Sequence, residues 1–475
     1  MRDGGTGIIA FSANLLQTFG SLAIVLLAAR FLSPSEYGVY SIAAIILLLL
    51  QDLTFAGVTQ YIVTQKGDED KLLSTTFWLI SGFSVAGALF LIATAPLLAI
   101  LFDAPNLTIV IQLLAIAQPF ATYTAWSSAV LMRRKRMRLH FTLLGFQNLA
   151  ALVGGVAVLF WWQSIFALVA YRYFRTFSGV FAYLLFNRTW PGFRFDKVLG
   201  RQIFGFSSHL YGTRFLQFFS NYGADLMLGA TLSTAAAGLY RLGNRMAMVP
   251  VELIGQPVRT FALAQFGEAH RKERPFTPLT AAFLSSMTFL MGMIGTTVLI
   301  FGEEMVRYLF QPAYLASLPV TAALIVRAVL GIGDSLLEPV LASVGKTKLI
   351  LMHRTFWAVV VVIGMFAASP FGPGPVAWTL AAIMFFASAM TFRHFVKYAG
   401  VRLGAMLLAT AKALFLVAIY CAGAWLIHYE LSASAGPNLE MILLVSLSGC
   451  AVLGLVLTGV ALKLRVLVLG IFSGH

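Results

Sequence analysis

Apolar stretches of membrane-crossing length alternate with short polar breaks from one end of the chain to the other. They fall at 8–31, 38–62, 74–102, 107–131, 141–162, 164–187, 204–228, 237–261, 278–301, 314–340, 350–369, 374–393, 403–427 and 440–462. A helix needs about 20 apolar residues to cross the hydrocarbon core of a bilayer, so the pattern predicts fourteen spanning helices. The breaks are tight. Phe102-Asp103-Ala104-Pro105-Asn106 separates the third run from the fourth, and Trp162-Gln163-Ser164 the fifth from the sixth.

Composition agrees with this pattern. Of 475 residues, 59% are hydrophobic and 11% charged, against about 25% charged in a soluble domain. So few charges cannot cover a water-soluble body of this size, which excludes soluble enzymes and predicts an all-α integral membrane protein. No length is left for a sizeable catalytic domain outside the membrane, so the chain is expected not to be an enzyme. Met1-Arg2-Asp3-Gly4-Gly5 leads into the first apolar run without a small-residue cleavage site. That run reads as a retained span and not a removable leader.

The net charge of +15 suggests nucleic acid until its placement is considered. With the N-terminus cytoplasmic and the loops alternating, 24 of the 33 Lys and Arg fall in cytoplasmic loops or adjoining helix ends. They are Arg2; Lys66 and Lys71; Arg133, Arg134, Lys135, Arg136 and Arg138; Arg188, Arg194, Lys197 and Arg201; Arg259, Arg271, Lys272 and Arg274; Lys346, Lys348 and Arg354; Arg393, Lys397 and Arg402; Lys463 and Arg465. The opposite loops hold only Arg307. This asymmetry is the positive-inside rule, and one missing span would scramble it. It predicts fourteen spans with both termini cytoplasmic and no nucleic-acid partner.

An internal repeat appears at an offset of 200. Leu32-Ser33 and Gly38-Val39-Tyr40 lie over Leu232-Ser233 and Gly238-Leu239-Tyr240, with eleven identities across positions 11–65. Copies six spans apart share one orientation in the bilayer. They predict two six-helix lobes related by a pseudo-twofold axis along the membrane normal, with a site at their interface. The N-lobe is expected over 1–190 (spans 1–6), the C-lobe over 191–395 (spans 7–12), and two further C-terminal helices over 396–475. Asn187 to Gln202, which mixes Trp190, Phe193 and Phe195 with Arg188, Arg194, Lys197 and Arg201, reads as an interfacial linker between lobes.

Nine basic residues fall outside the cytoplasmic set: Arg30, Arg172, Arg175, Arg214, Arg241, Arg245, Arg307, Arg327 and Lys412. Asp52, Asp225, Glu252, Asp334 and Glu338 also fall within apolar runs. A charge at the bilayer centre costs about 2.5–3.5 kcal/mol even on the lenient insertion scale, and so faces protein or a watery cavity. Spacing sorts them. Arg214, Gln217, Asn221 and Asp225 follow i, i+3, i+7, i+11 and share one helical face, as do Arg241, Arg245, Glu252 and Arg259 at i, i+4, i+11, i+18. Pro250 and Pro257 are expected to bend the second stripe. Asn14, Gln17 and Ser21 occupy the positions matching Arg214, Gln217 and Asn221. The simplest arrangement points these faces at one cationic cavity.

Blander roles compete for the remainder. Arg30 and Asp225, near helix ends, are expected to snorkel to the interface. Arg172 and Arg175 fit cavity lining or structural pairing equally, as do Asp334 and Glu338, and Lys412 fits a lipid-headgroup anchor. No Gly-x-x-x-x-Gly-Lys-Ser/Thr loop is present, which argues against ATP hydrolysis. The seven histidines show no ligand spacing, and Cys421 and Cys450 give neither a disulfide framework nor a metal site. No cofactor is expected.

Ala29-Arg30-Phe31-Leu32-Ser33-Pro34-Ser35-Glu36-Tyr37-Gly38-Val39-Tyr40 resembles the first-hairpin signature of the polysaccharide-transport (Wzx-like) flippases of the multidrug/oligosaccharidyl-lipid/polysaccharide exporter superfamily. Gly238-Leu239-Tyr240-Arg241-Leu242-Gly243-Asn244-Arg245 resembles that family's eighth-span motif, with Gly243 where Ala is commoner, and Gly345-Lys346-Thr347-Lys348 also fits. The resemblance implies export of polyprenyl-pyrophosphate-linked oligosaccharide repeat units across a bacterial cytoplasmic membrane, for exopolysaccharide or O-antigen assembly. Its partners would be that lipid-linked cargo, membrane lipids, and a polysaccharide polymerase and chain-length regulator. Arg214, Arg241 and Arg245, with Asn14, Gln17, Gln217 and Asn221, are the expected substrate contacts, because a guanidinium fork matches phosphate oxygens. Glu252 and Asp52 are the expected ion-coupling acids. Alternatives are an organic-cation antiporter of the same superfamily, a peptidoglycan-precursor flippase, and a non-transporting scaffold.

Overall fold

The computed structural model describes residues 3–463 apart from 56, 66–67, 188–189 and 435–438. Arg2, Lys66, Arg188 and Arg465 of the basic loop set lie outside the described residues. All regular structure among the described residues is helical. The chain divides into two compact units, Met1–Gly238 and Leu239–His475.

The first unit begins with α1 (Asp3–Phe31), α2 (Pro34–Phe55), α3 (Val58–Thr64), α4 (Glu69–Leu101) and α5 (Asn106–Ile116). It continues with α6 (Gln118–Arg133), α7 (Met137–Trp162), α8 (Ile165–Asn187), α9 (Lys197–Thr231) and the first turn of α10 (Thr234–Pro250). The second holds the rest of α10, a π-helical turn (Val251–Gly255), α11 (Gln256–Arg271), α12 (Phe276–Ile300), α13 (Gly302–Leu309) and α14 (Leu318–Leu330). It closes with α15 (Ile332–Ser335), α16 (Leu337–Ser343), α17 (Thr347–Ala368), α18 (Pro373–Ala399), α19 (Leu403–Ser434) and α20 (Leu439–Lys463).

Among the described residues every expected apolar run coincides with helix, some of it broken into two to four pieces. Among the described residues, eleven of these segments are long and apolar enough to cross a membrane. The three that fall short are α8, α9 and α10 with α11. They are the segments that carry Arg172 and Arg175, Arg214 and Asp225, and Arg241, Arg245 and Glu252. Their charges depress the hydropathy, so the helices least like lipid-facing spans are those with the most chemistry.

Helix α1 packs on α7, and α9 packs on α2 and α4. The segment before α9 is clamped to the start of α4. Trp78 Nε1 donates to the Gly192 carbonyl at 2.8 Å, Ser74 Oγ donates to the Arg194 carbonyl at 2.6 Å, and Asp196 N donates to Thr75 Oγ1 at 3.2 Å. Trp190 and Phe193 stay exposed. Asp196 caps α9 by accepting from Val198 N and Leu199 N, and its other oxygen lies 2.5 Å from Lys71 Nζ. Its carboxyl is held below the ordinary carboxylate value, first by the Lys71 hydrogen bond and then by the α9 amides.

The two copies of the repeat touch each other inside the first unit. A Cβ on Gly38 would lie 1.8 Å from the Thr234 carbonyl oxygen, and a Cβ on Gly238 would lie 2.0 Å from that of Pro34. Thr234 occupies the repeat position of Pro34, so the contact is reciprocal: each motif presents its glycine to the other's first turn. Ser35 Oγ and Thr234 Oγ1 add a 2.9 Å hydrogen bond. Only glycine permits this backbone approach.

Gly38→Ala and Gly238→Ala should each sharply lower the yield of monodisperse protein in detergent. The expected cost is at or above the ~1–3 kcal/mol of ordinary overpacking, because backbone and not a side chain must yield. Gly82→Ala, where a Cβ meets nothing within 4 Å, is the control. Asp196→Asn keeps the cap but removes the Lys71 pair. A depressed carboxylate stabilises above its unfolded pKa of about 3.9 and stops doing so as pH falls through its folded value. The variant should therefore melt below wild type at neutral pH and approach it in acid.

Candidate functional site

Helix α9 in the first unit carries the expected stripe. Arg214, Gln217 and Asn221 are exposed along it. Asp225, the fourth member, is fully buried and does not snorkel outward as a residue near a helix end was expected to, whereas Arg30 is exposed. On α2, Asp52 is half-buried and stands within electrostatic reach of Arg214. Asn14 and Gln17 are exposed on α1. Neither amide has a hydrogen-bond partner among the described residues.

Sequence reasoning missed a polar relay in the same unit. Arg172 Nη2 donates to Gln51 Oε1 at 3.2 Å, and Gln51 Nε2 donates to Gln118 Oε1 at 2.7 Å. The relay ties α8 to α2 and α6 beside Asp52. Arg175, one turn along α8, lies within electrostatic reach of Arg172 and Tyr40. Among the described residues neither arginine has a carboxylate partner. Both glutamines are uncharged and sit in separate runs, so only their spacing in the fold reveals them.

In the second unit, α10 ends at Pro250 and α11 begins around Pro257. Each proline lacks the N–H that an α-helical ladder requires. The chain answers with the π-helical turn Val251–Gly255, a device that recurs at functional sites. Across it Arg245 Nη1 meets Glu252 Oε1 at 2.8 Å, both side chains about a quarter exposed (21% and 28%). Arg241, one turn earlier, is half-buried.

The same face then opens on a pocket of about 190 Å³. Met248 lines it from α10, Val251 and Gly255 from the π-helical turn, Arg259 from α11, Met287 and Met291 from α12, Arg327 from α14, Ser335 from α15 and Met384 from α18. Arg259 is paired with Glu338, which also receives Arg354 Nη2 at 2.8 Å. Arg327 differs. It is half-buried in an apolar helix, and among the described residues it has neither a carboxylate nor a hydrogen-bond partner. Its charge was legible in the sequence, but its isolation and its aim at the pocket were not. Arg307 is answered by Glu303 at 2.7 Å, and Lys412 is exposed on α19. No cluster of metal-binding side chains occurs among the described residues.

The fold and these faces define a multi-pass, all-helical membrane protein whose polar helices are set among apolar ones, as a transporter requires. The chain belongs to the polysaccharide biosynthesis protein family, whose model matches residues 27–319. It is 23% identical over 365 residues to the succinoglycan biosynthesis transport protein ExoT of Rhizobium meliloti (strain 1021), spanning 75% of this chain and 71% of that one. It is 23% identical over 331 residues to the teichuronic acid biosynthesis protein TuaB of Bacillus subtilis (strain 168), spanning 66% of each. Among solved structures, the lipid II flippase MurJ in an inward closed conformation matches with a TM-score of 0.74 at 13% identity, covering 96% of this chain and 98% of that one. An inward-facing multidrug MATE transporter of the MOP superfamily matches at 0.60 and 12% identity, covering 81% and 96%. The resemblance expected from the first-hairpin motif is borne out.

Glu338→Gln leaves Arg259 and Arg354 without their shared counter-ion. Both are more than a third exposed, so the expected loss is about 1–2 kcal/mol, between that of surface and buried pairs. Thermal unfolding of purified protein checks it.

Proposed function

We propose that this protein moves polyprenyl-pyrophosphate-linked oligosaccharide repeat units across the bacterial cytoplasmic membrane, for exopolysaccharide or O-antigen assembly. The observation that carries the reading is Arg327, a guanidinium within a span that has no counter-ion among the described residues and lines a pocket together with Arg259. A charge left unanswered in a low-dielectric interior is costly, and a diphosphate is the anion best matched to arginine's planar fork. Arg241 and Arg245 would engage the diphosphate or acidic sugars, as would Arg214 on α9. Asn14, Gln17, Gln217 and Asn221 would supply neutral hydrogen bonds suited to sugar hydroxyls. Glu252 would act as resident counter-ion, holding Arg245 until a stronger anion displaces it.

Transport would follow from two six-helix lobes, 1–190 and 191–395, rocking about the site. The helices over 396–475 would stand beside a groove for the lipid tail. Asp52 and Glu252, each beside an arginine, are the proposed ion-coupling acids. Both termini would be cytoplasmic, and a polymerase and a chain-length regulator are the proposed partners. The family and its transport relatives favour this over an organic-cation antiporter, for which guanidiniums are the wrong charge. They also favour it over a static scaffold, which has no need of an uncompensated arginine.

Arg241→Ala and Arg245→Ala should each abolish polymer export while the protein inserts at normal levels. Arg327→Ala should weaken binding of a polyprenyl diphosphate to purified protein by about tenfold, or about 1.4 kcal/mol. Arg307→Ala should leave it unchanged. Wild-type export from both stripe variants, with undiminished binding by Arg327→Ala, would reject the cationic site. Glu252→Gln should weaken export driven by an ion gradient, which uptake into energised vesicles would measure.

A further inference from the structure

Where the linker before α9 is clamped to α4, the first unit holds a pocket of about 470 Å³ that the proposed transport site does not use. That volume falls within the range of about 300–1,000 Å³ usual for small-ligand sites. Asp70 and Ser74 line it from α4, Arg134 from the end of α6, and Trp190, Gly192 and Arg194 from the linker. The backbone that carries Arg194 is fixed from both sides. Its N–H donates to Ser74 Oγ at 3.1 Å, and its carbonyl accepts from the same hydroxyl at 2.6 Å. The Arg194 side chain is exposed, so a held backbone presents a solvated guanidinium at the pocket.

Two charges of opposite sign in this pocket do not meet. Among the described residues neither the Arg194 guanidinium nor the Asp70 carboxylate makes an ion pair or a hydrogen bond. Arg134 differs, since its Nε lies 2.7 Å from Glu69 Oε1. Lys71 and Asp196 nearby close on each other at 2.5 Å. Arg134 and Arg194 against Glu69 and Asp70 sum to zero, so the pocket itself has no net charge to favour an anion. It has separated poles instead, and these suit a ligand that is neutral overall but carries both signs.

Depth identifies what such a ligand is part of. The pocket lies where the apolar part of α4 begins, at the end of the unit that gathers Arg133, Arg134, Lys135, Arg136 and Arg138. Exposed aromatic side chains mark the same level, as they do at a membrane–water interface. Trp190 and Phe193 are 71% and 94% exposed, and the Phe193 ring lies 5.7 Å from that of Trp78. Phospholipid headgroups occupy that depth of a bilayer.

We propose that this pocket binds the head of a zwitterionic phospholipid ending in a primary ammonium, phosphatidylethanolamine, from the adjacent leaflet. Its phosphate meets Arg194, whose planar fork can take two oxygens. Its ammonium meets Asp70. A primary ammonium has three hydrogens to donate, the choline of phosphatidylcholine has none, and phosphatidylglycerol brings a negative charge with nothing to balance it. Trp190 suits the boundary between head and tails, with an apolar body and a polar N–H. With the head in place, three positive and three negative groups balance, and the lipid joins Ser74 and Trp78 in holding the linker to α4. None of this depends on the transport reading.

Tryptophan quenching by brominated acyl chains tests it. Full-length protein is reconstituted in phosphatidylcholine vesicles containing increasing fractions of brominated phosphatidylethanolamine, phosphatidylglycerol or phosphatidylcholine. The difference between wild type and Trp190→Phe isolates the signal of Trp190. Phosphatidylethanolamine should quench it at a fraction about fivefold lower than either other lipid, about the most that an exposed ion pair contributes. Asp70→Asn should erase that advantage, Asp70→Glu should keep it, and Arg194→Gln should weaken the phosphatidylethanolamine effect by a similar factor. Arg138→Gln, exposed at the same end but outside the pocket, should change nothing. Asp70 and Arg194 are both exposed, and monodisperse elution checks that each variant folds. Equal quenching by all three lipids overturns the site, as does a phosphatidylethanolamine preference that survives Asp70→Asn. Stronger quenching by phosphatidylglycerol would reduce the effect to attraction by the basic loops and overturn it too. Soluble phosphoethanolamine should leave the quenching in place, and full relief by it would overturn the assignment to a lipid.

Discussion

A guanidinium inside a bilayer must be answered, and the organisation of this protein follows from how each is answered. Within the helices Arg245 finds Glu252 and Arg172 reaches Gln51, while toward the loops Arg259 and Arg354 share Glu338 and Arg307 takes Glu303 one turn away. Arg327 finds none of these. In water that would mean little, but next to methionines and within a span the lack of a partner among the described residues is what supports the proposed anion site. The difference between an arginine that packs the fold and one that waits for a ligand is therefore a difference in its neighbours, since the side chain is the same.

Backbone constraints put those arginines where they act. The reciprocal approach of Gly38 and Gly238 sets the first turn of α10 against the start of α2 at backbone contact inside the first unit. Pro250 and Pro257 then deny it a continuous ladder, and the π-turn between them carries the Arg241–Arg245 face round to the pocket lined by Arg259 and Arg327.

The polar relay of Arg172, Gln51 and Gln118 and the cluster of Asp334, His353, Thr391 and His394 show a second pattern. Both join three helices through side chains that are individually unremarkable in the sequence. The first includes Gln51, the residue preceding Asp52, which the functional reading uses. Networks of this kind are stiff when fully satisfied and labile when a nitrogen is left over. Among the described residues His353 Nδ1 and His394 Nε2 find no hydrogen-bond partner.

Hydropathy by itself determined the class: with so few charges the chain must live in lipid, and each apolar run had to become helix because lipid offers the backbone no other partner. Periodicity also placed Arg214, Gln217 and Asn221 on one face, and Arg241, Arg245 and Glu252 on another, since a helix of 3.6 residues per turn leaves little choice. The repeat at an offset of 200 was visible as letters, but that its two glycines touch was not. Nor was the burial of Asp225, the isolation of Arg327, or the meeting of His353 with Asp334 across 19 residues and His394 across 41. Those are outcomes of helix packing. Which neighbour a charge acquires depends on distances through space, and no spacing along one helix encodes the face that another helix will bring against it.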